Sequence, residues 1–448
     1  MKAYADAQEL DAQGKEEEAI AAYLRAIDHD PDCGRAYTGL AVTYYARGEM
    51  ALADKYFGEA MKRTDLMTER EKHRTRGAYY LFMNNFERAT EEYESLVEHF
   101  PRDVAGLTNL AMAYFLGYHM PEALAAGLKA CEIEPENLDN RYNQSWYALA
   151  SGDYERAQDE ARKTLEIEPD YPKAHVVLAL AEIGLGRPER AGAIYEQVGA
   201  MGPLGASLGA SGLADLALYE GRVDEAVAIL ERGIASDQEN AFGYRAADKS
   251  IMLAEAYLAQ GKKAEAVAAS DRAVSLSGRE EILFAAGCVF CRAGADDKAR
   301  TAAAELGRRV QDIHLAYAKL LGGHLSLERG DGANARKLFD EAQGLVDTWL
   351  GRFALGRAYL EAGAFAEAQA EFEKCEKRRG EALSVFLNDL PSARFLGSLD
   401  DYMRRALEGQ GKGEAAQQSS QSFVDPKTNA DPVSPVVTDA KSRLINLQ

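Results

Sequence analysis

The sequence predicts an all-α fold: a right-handed superhelical solenoid of about 12 helix–turn–helix units. Three observations predict it. First, small and aromatic residues recur with a period of 34: Tyr37, Leu40, Ala41, Tyr44, Gly48, Ala53, Phe57 and Ala60, then Leu107, Leu110, Ala111, Tyr114, Ala123, Ala130 and Pro135, then Gly152, Ala157, Ala161 and Pro169. Second, Gly48, Gly152, Gly186, Gly221, Gly261, Gly294, Gly330 and Gly363 share position 15 of the repeat, where a left-handed residue ends the first helix. Third, Pro31, Pro101, Pro135 and Pro169 share position 32, where a residue without N–H stops the second helix. Ala or Gly at positions 8 and 20 lets the two helices of a unit approach closely, and a larger residue there overpacks the contact by roughly 1–3 kcal/mol.

In chain order, the first unit carries Ala19, Tyr23 and Ala26 on its second helix and ends at Asp30-Pro31. The second covers 34–67. A short insertion at Met67 to Arg70 resets the frame, and the third covers 70–103 with Gly77, Tyr80, Ala89, Tyr93 and Pro101 in register. Later units start near 104, 138, 172, 207, 247, 280, 316 and 349. Units one to six form an N-terminal array over 1–203, and units seven to eleven a C-terminal array with its connecting segment over 204–396. A degenerate last pair spans 397–424, a linker 425–433, and a capping helix 434–448 with Val436, Val437, Ala440 and Leu444 on its apolar face. Helix formers thin out at Gly202–Gly212. That stretch reads either as a loosened joint or as a longer turn followed by a Gly-rich helix.

With this spacing the chain resembles the tetratricopeptide repeat family, whose arrays present a groove to other proteins and carry no chemistry of their own. A looser resemblance, to the repeat arrays of bacterial serine/threonine kinases or winged-helix regulators, rests on Thr68-Glu69-Arg70-Glu71, Ala78-Tyr79-Tyr80, Phe100-Pro101-Arg102-Asp103 and Phe386-Leu387-Asn388-Asp389-Leu390-Pro391. It implies a sensory or regulatory role. The kinase motifs His-Arg-Asp and Asp-Phe-Gly are missing, so kinase activity does not carry over.

Bulk properties narrow the partner. Against 52 Lys and Arg stand 72 Asp and Glu, a formal charge of −20 over 448 residues. Nucleic acid needs a basic stripe and an anionic membrane a polybasic segment, so neither is expected as a ligand. No run of about 18 apolar residues reads as a membrane span. The five scattered cysteines do not form a disulfide framework, and the N-terminus lacks a signal peptide's apolar stretch. Both point to a cytoplasmic location. The chain starts almost inside its first helix, which reads as the trace of a natural N-terminal region ahead of it.

Two strings look like chemistry. Gly205-Ala206-Ser207-Leu208-Gly209 matches the nucleophile elbow, which requires a preceding strand that the pattern here lacks. Cys288-Val289-Phe290-Cys291 places two thiols on one helix face without the second ligand pair of a zinc site, so core packing is the expected role. The seven histidines form no ligand motif. No catalytic residue, metal site or cofactor is expected, and the chain is read as a non-enzyme.

The family resemblance implies that first-helix positions 2, 5, 6, 9, 12 and 13 line the groove. They are Tyr45 in unit two, Thr108, Asn109, Met112 and Phe115 in unit four, and Tyr142, Asn143, Trp146 and Leu149 in unit five. Asn109 and Asn143 share position 6. They resemble the asparagine ladder by which O-GlcNAc transferase and importin-type solenoids grip an extended backbone, an amide offering both donor and acceptor. Tyr142 and Trp146 are the expected anchoring aromatics. The partner is therefore a protein or extended peptide, with self-association of the array as the alternative.

Overall fold

The computed structural model describes residues 2–47, 49–309 and 311–424, and every long element is a helix. The helices pair as expected. They are α1 (Lys2–Ala12) with α2 (Glu16–His29), α3 (Gly34–Ala46) with α4 (Met50–Met61), α5 (Glu69–Phe82) with α6 (Phe86–His99), and α7 (Val104–Leu116) with α8 (Met120–Ile133). There follow α9 (Leu138–Ala150) with α10 (Tyr154–Ile167), α11 (Pro172–Gly184) with α12 (Pro188–Gly199), α13 (Gly202–Tyr219) with α14 (Val223–Glu239), and α15 (Gly243–Ala259) with α16 (Lys263–Leu276). Then come α17 (Glu280–Ala293) with α18 (Asp296–Leu306), α19 (Asp312–Glu328) with α20 (Gly332–Leu345), and α21 (Trp349–Glu361) with α22 (Phe365–Lys377). A single turn, α23 (Arg379–Ala382), precedes the last pair, α24 (Arg394–Gly409) and α25 (Gly413–Val424). The linker and capping helix expected at 425–448 lie outside the described residues. The chain divides into two compact units, Met1–Pro135 and Glu136–Gln448.

The turn glycines do what their register requires. Seven of the eight have φ between +73° and +82°, and Gly48 is outside the described residues. Where the third and fourth repeats lack the glycine, Asn84 (φ 52°) and Tyr118 (φ 64°) adopt the same left-handed conformation. A Cβ on Gly294 would meet nothing within 4 Å, so its φ of +82° isolates the backbone cost. Gly294→Ala is expected to destabilise the protein by about 1–2 kcal/mol. Asn84→Gly is expected to stabilise it modestly, and denaturant midpoints check both.

Close packing explains position 8. A Cβ on Gly77 would lie 2.5 Å from the Tyr93 ring, on Gly323 2.3 Å from Phe339, and on Gly356 2.5 Å from Phe372. In each case the aromatic ring belongs to the second helix of the same unit and fills the space the glycine vacates. The same device resolves Gly202–Gly212, which is the start of the continuous helix α13 rather than a loosened joint. A Cβ on Gly205 would fall 2.4 Å from the Val198 carbonyl, and on Gly209 2.7 Å from that of Tyr195. These glycines admit the backbone of α12, at a cost in helix propensity that the packing offsets.

The stretches carrying the looser resemblance have structural work in the first unit. Thr68 and Glu71 form a capping box at the start of α5. Asp103 caps α7 through Gly106 N (2.9 Å) and accepts from Arg70 Nε (2.7 Å) and Arg74 Nε (3.0 Å), stitching the third repeat to the fourth. Burial pushes the Asp103 carboxyl up, but the two guanidiniums outweigh it and hold it below the usual carboxylate range.

Candidate functional site: the first-helix face

In the first unit this face is open and apolar. Tyr45 and Val42, one turn apart on α3, remain 47% and 41% exposed. Tyr45 meets Phe82 of α5 edge to face with centroids 5.7 Å apart, and Phe82 in turn packs on Phe57 at 4.9 Å. On α7, Asn109 and Met112 are half-buried and Phe115 is buried. The Asn109 amide faces the buried Tyr93 hydroxyl without closing a hydrogen bond of normal geometry to it.

In the second unit the predicted residues sit at one end of a face that is already covered. Tyr142 meets Trp146 at 6.4 Å and Tyr171 at 5.3 Å, both edge to face, while Lys173 lies 5.9 Å above its ring. Trp146 is buried at 6% exposure, Leu149 is buried, and Asn143 is half-buried. Burial pushes the Tyr142 phenol well up, and the Asp389 charge adds to the shift.

Asp389 belongs to the covering segment, residues 379–394, which runs from α23 to the first residue of α24. It is a closed loop. Ser392 N donates to the Leu383 carbonyl (2.9 Å), Ser392 Oγ to that of Ala382 (2.7 Å), and Val385 N to Ser392 Oγ (2.9 Å). Across the tip, Ser384 Oγ donates to the Asn388 carbonyl (2.6 Å) and accepts from Asn388 N (3.0 Å). Beyond α23, Leu383, Val385 and Leu390 are buried, an unusual state for a non-helical stretch.

First helices from α9 to α19 contribute to its seat. Gly380 lies so close to α9 that a Cβ there would fall 2.2 Å from the Leu149 carbonyl. Phe386 stands 6.3 Å from both Phe284 of α17 and Tyr317 of α19, which stack on each other at 4.5 Å. Asn388 Nδ2 donates to the Tyr244 hydroxyl (2.9 Å). Asp389 accepts from Arg245 Nη2 (2.8 Å) and lies 3.7 Å from Lys173 Nζ. Burial opposes its charge, but Arg245 and Lys173 hold the carboxyl below the usual range. At the far end, Arg394 donates to Asp215 (2.8 Å) and Glu255 (2.6 Å), and Ala393 N donates to Asp215 (2.8 Å).

Sequence reasoning missed that this loop packs on the first helices. Its signal was an excess of chain between repeats eleven and twelve, rich in Leu, Val and Phe without helical spacing.

The two motif-like strings are structural. Ser207 lies on α13, not at a strand–helix elbow, and accepts from Lys249 Nζ (3.0 Å), which also pairs with Asp237 (2.6 Å). All three are buried. Cys291 packs in the core, where burial pushes its thiol up to about 12, and Cys288 is shifted the same way. A thiol so shifted is a poor nucleophile. Among the described residues no group of three His, Cys, Asp or Glu side chains could hold a metal ion, and no helix is long and apolar enough to cross a membrane.

Fold and face together define a helical-repeat scaffold. Family models described as tetratricopeptide repeat match residues 4–63, 74–137 and 212–281, residues 148–206, and residues 351–381. The chain belongs to the tetratricopeptide repeat family. Tetratricopeptide repeat protein 6 of Homo sapiens is 30% identical over 128 residues, 29% of this chain and 24% of that protein, so the match spans about a quarter of the relative's length. A chain in the crystal structure of the APC/C hetero-tetramer Cut9–Hcn1 is similar over 97% of this chain and 95% of its own, at 14% identity and a TM-score of 0.40. A tetratricopeptide repeat protein from Parabacteroides merdae is similar over 65% of this chain and 98% of its own, at 17% identity and a TM-score of 0.40.

Proposed function

We propose that this protein is a non-catalytic, cytoplasmic scaffold that binds a protein or extended peptide on its first-helix face. The observation that carries the reading is the open strip of the first unit, where Val42 and Tyr45 keep large apolar surfaces in solvent beside Phe82. Exposed aromatic surface of this kind is enriched at binding hot spots. Asn109 and Met112, half-buried on α7, supply an amide and a flexible apolar side chain to the same function, while buried Phe115 supports them from beneath. In the second unit half-buried Tyr142 and Asn143 are assigned to peptide contact at the end of the covered face, with buried Trp146 backing the Tyr142 ring.

Affinity capture from native extract tests the proposal, comparing the wild type with Tyr45→Ala/Asn109→Ala. Loss of both contacts is expected to weaken a stoichiometric partner by about 2 kcal/mol or more, roughly 30-fold. A partner held equally by both proteins removes the site assignment. Recovery of the bait alone as a multimer replaces peptide capture by self-association.

A further inference from the structure

The loop at 379–394 shows what chemistry the second unit's face accepts. We propose that this face is a peptide-binding groove, that the loop is its internal ligand, and that a partner's segment of the same chemistry displaces it. That segment carries a bulky apolar residue, an acid three residues later, and an arginine five residues after the acid. The inference rests on the scaffold reading above and specifies the ligand for this unit.

Three observations carry it. The seat is divided by charge. Lys173 and Arg245 form a basic spot that takes Asp389, while Asp215 and Glu255 form an acidic spot that takes Arg394. Between α17 and α19 lies an aromatic slot, Phe284 on Tyr317, that takes Phe386. Such a seat reads side chains at fixed separations, as peptide grooves do.

Second, the recognition contacts of the loop are made by its tip and far end, whereas its closure is internal, through Ser384, Ser392 and the Leu383 carbonyl. The tip can therefore leave the seat without breaking the hydrogen bonds that shape the loop.

Third, the fit is incomplete. Arg245 Nη1 is buried, and so is Asp248 Oδ2, and neither finds a hydrogen-bond partner among the described residues. Asp389 engages Arg245 through one nitrogen only, where a carboxylate set for two parallel bonds would satisfy both. Unsatisfied buried groups of this kind favour a ligand that completes them.

The test uses a fluorescent peptide of residues 381–396, titrated against the wild type and against Phe386→Ser/Asp389→Ser, which empties the apolar and basic subsites in cis. The peptide is expected to bind the double variant at least tenfold more tightly than the wild type, and Arg245→Glu in that background to abolish binding. Equal binding to both proteins, or none to a folded variant, overturns the proposal and leaves the loop a fixed part of the fold. Should the double variant not fold, hydrogen exchange on the wild type decides. Amides of 384–392 exchanging at least tenfold faster than those of α15 support displacement, and equal protection overturns it. Either overturning result leaves partner capture by the first unit untouched, since that is read from Tyr45 and Asn109.

Discussion

Lys249→Ala is expected to destabilise the second unit by about 3–5 kcal/mol. The ammonium is fully buried on α15, 2.6 Å from Asp237 and 3.0 Å from Ser207 Oγ, and Asp237 is buried as well. Burial pulls the Lys249 pKa down, opposed chiefly by Asp237, which favours the charged form. The stem is also accommodated. A Cβ on Gly233 would fall 3.0 Å from Lys249 Cδ, so the glycine leaves room for the methylenes. Truncation therefore removes packing and strands a carboxylate in the core. Two further variants separate those effects. Lys249→Met keeps the stem volume and strands Asp237, so most of the loss is expected to persist. Lys249→Met/Asp237→Leu removes both charges and is expected to recover to within about 1 kcal/mol of the wild type, because replacing a buried pair by apolar residues is often neutral. Denaturant unfolding of the three proteins checks the series. A loss below about 1 kcal/mol in Lys249→Met would show that Asp237 is not held as an uncompensated charge.

Periodicity revealed the repeat because each unit solves the same packing problem locally. Gly77, Gly323 and Gly356 sit where an aromatic ring of the paired helix must fit, and Gly152 or Gly294 where the chain must turn left-handed. Such constraints span fewer than 34 residues and recur, so one sequence displays them many times. The Lys249–Asp237 pair was illegible for the opposite reason: it is made once, by residues whose types alone suggest exposure. The loop was harder still. Its partners Lys173, Asp215 and Arg245 lie some 140 to 220 residues away in sequence, and Arg245–Asp389 alone spans 144. No periodicity encodes such a contact. Phe386 to Pro391 were visible as a distinctive stretch, but only the folded chain places them on the first helices. The predicted groove positions differ in depth for a related reason. Register identifies the helix face, and Tyr45 is on an open part of it. How deeply Trp146 or Phe115 sinks depends on neighbours that register does not specify.

Arg394→Ala is expected to cost about 3–5 kcal/mol at neutral pH and distinctly less near pH 4. Arg394 is set among carboxylates of the second unit, bonded to buried Asp215 and half-buried Glu255 and acting on buried Asp248. Burial raises Asp215 despite Arg394, and raises Asp248 to about 6 against the pull of Arg394 and Lys249, with Glu255 and Asp215 adding repulsion. A carboxyl whose folded pKa lies above its unfolded value binds its proton more tightly when folded. Its stabilising effect is complete below the unfolded pKa near 4 and is lost as pH rises through the folded pKa. For Asp248 that window runs from about pH 4 to about pH 6. Removing the guanidinium raises these carboxyls further, so the gap between Arg394→Ala and the wild type should widen from pH 4 to pH 7. Asp248→Asn gives the complementary result. It deletes the ionisation that burial opposes and should stabilise the protein by about 2–3 kcal/mol at pH 7, with little change at pH 4. Unfolding free energies of both variants across that range provide the check. A pH-independent loss in Arg394→Ala would mean that its contribution is packing of α24 on α13, not neutralisation of the carboxylates beneath the loop.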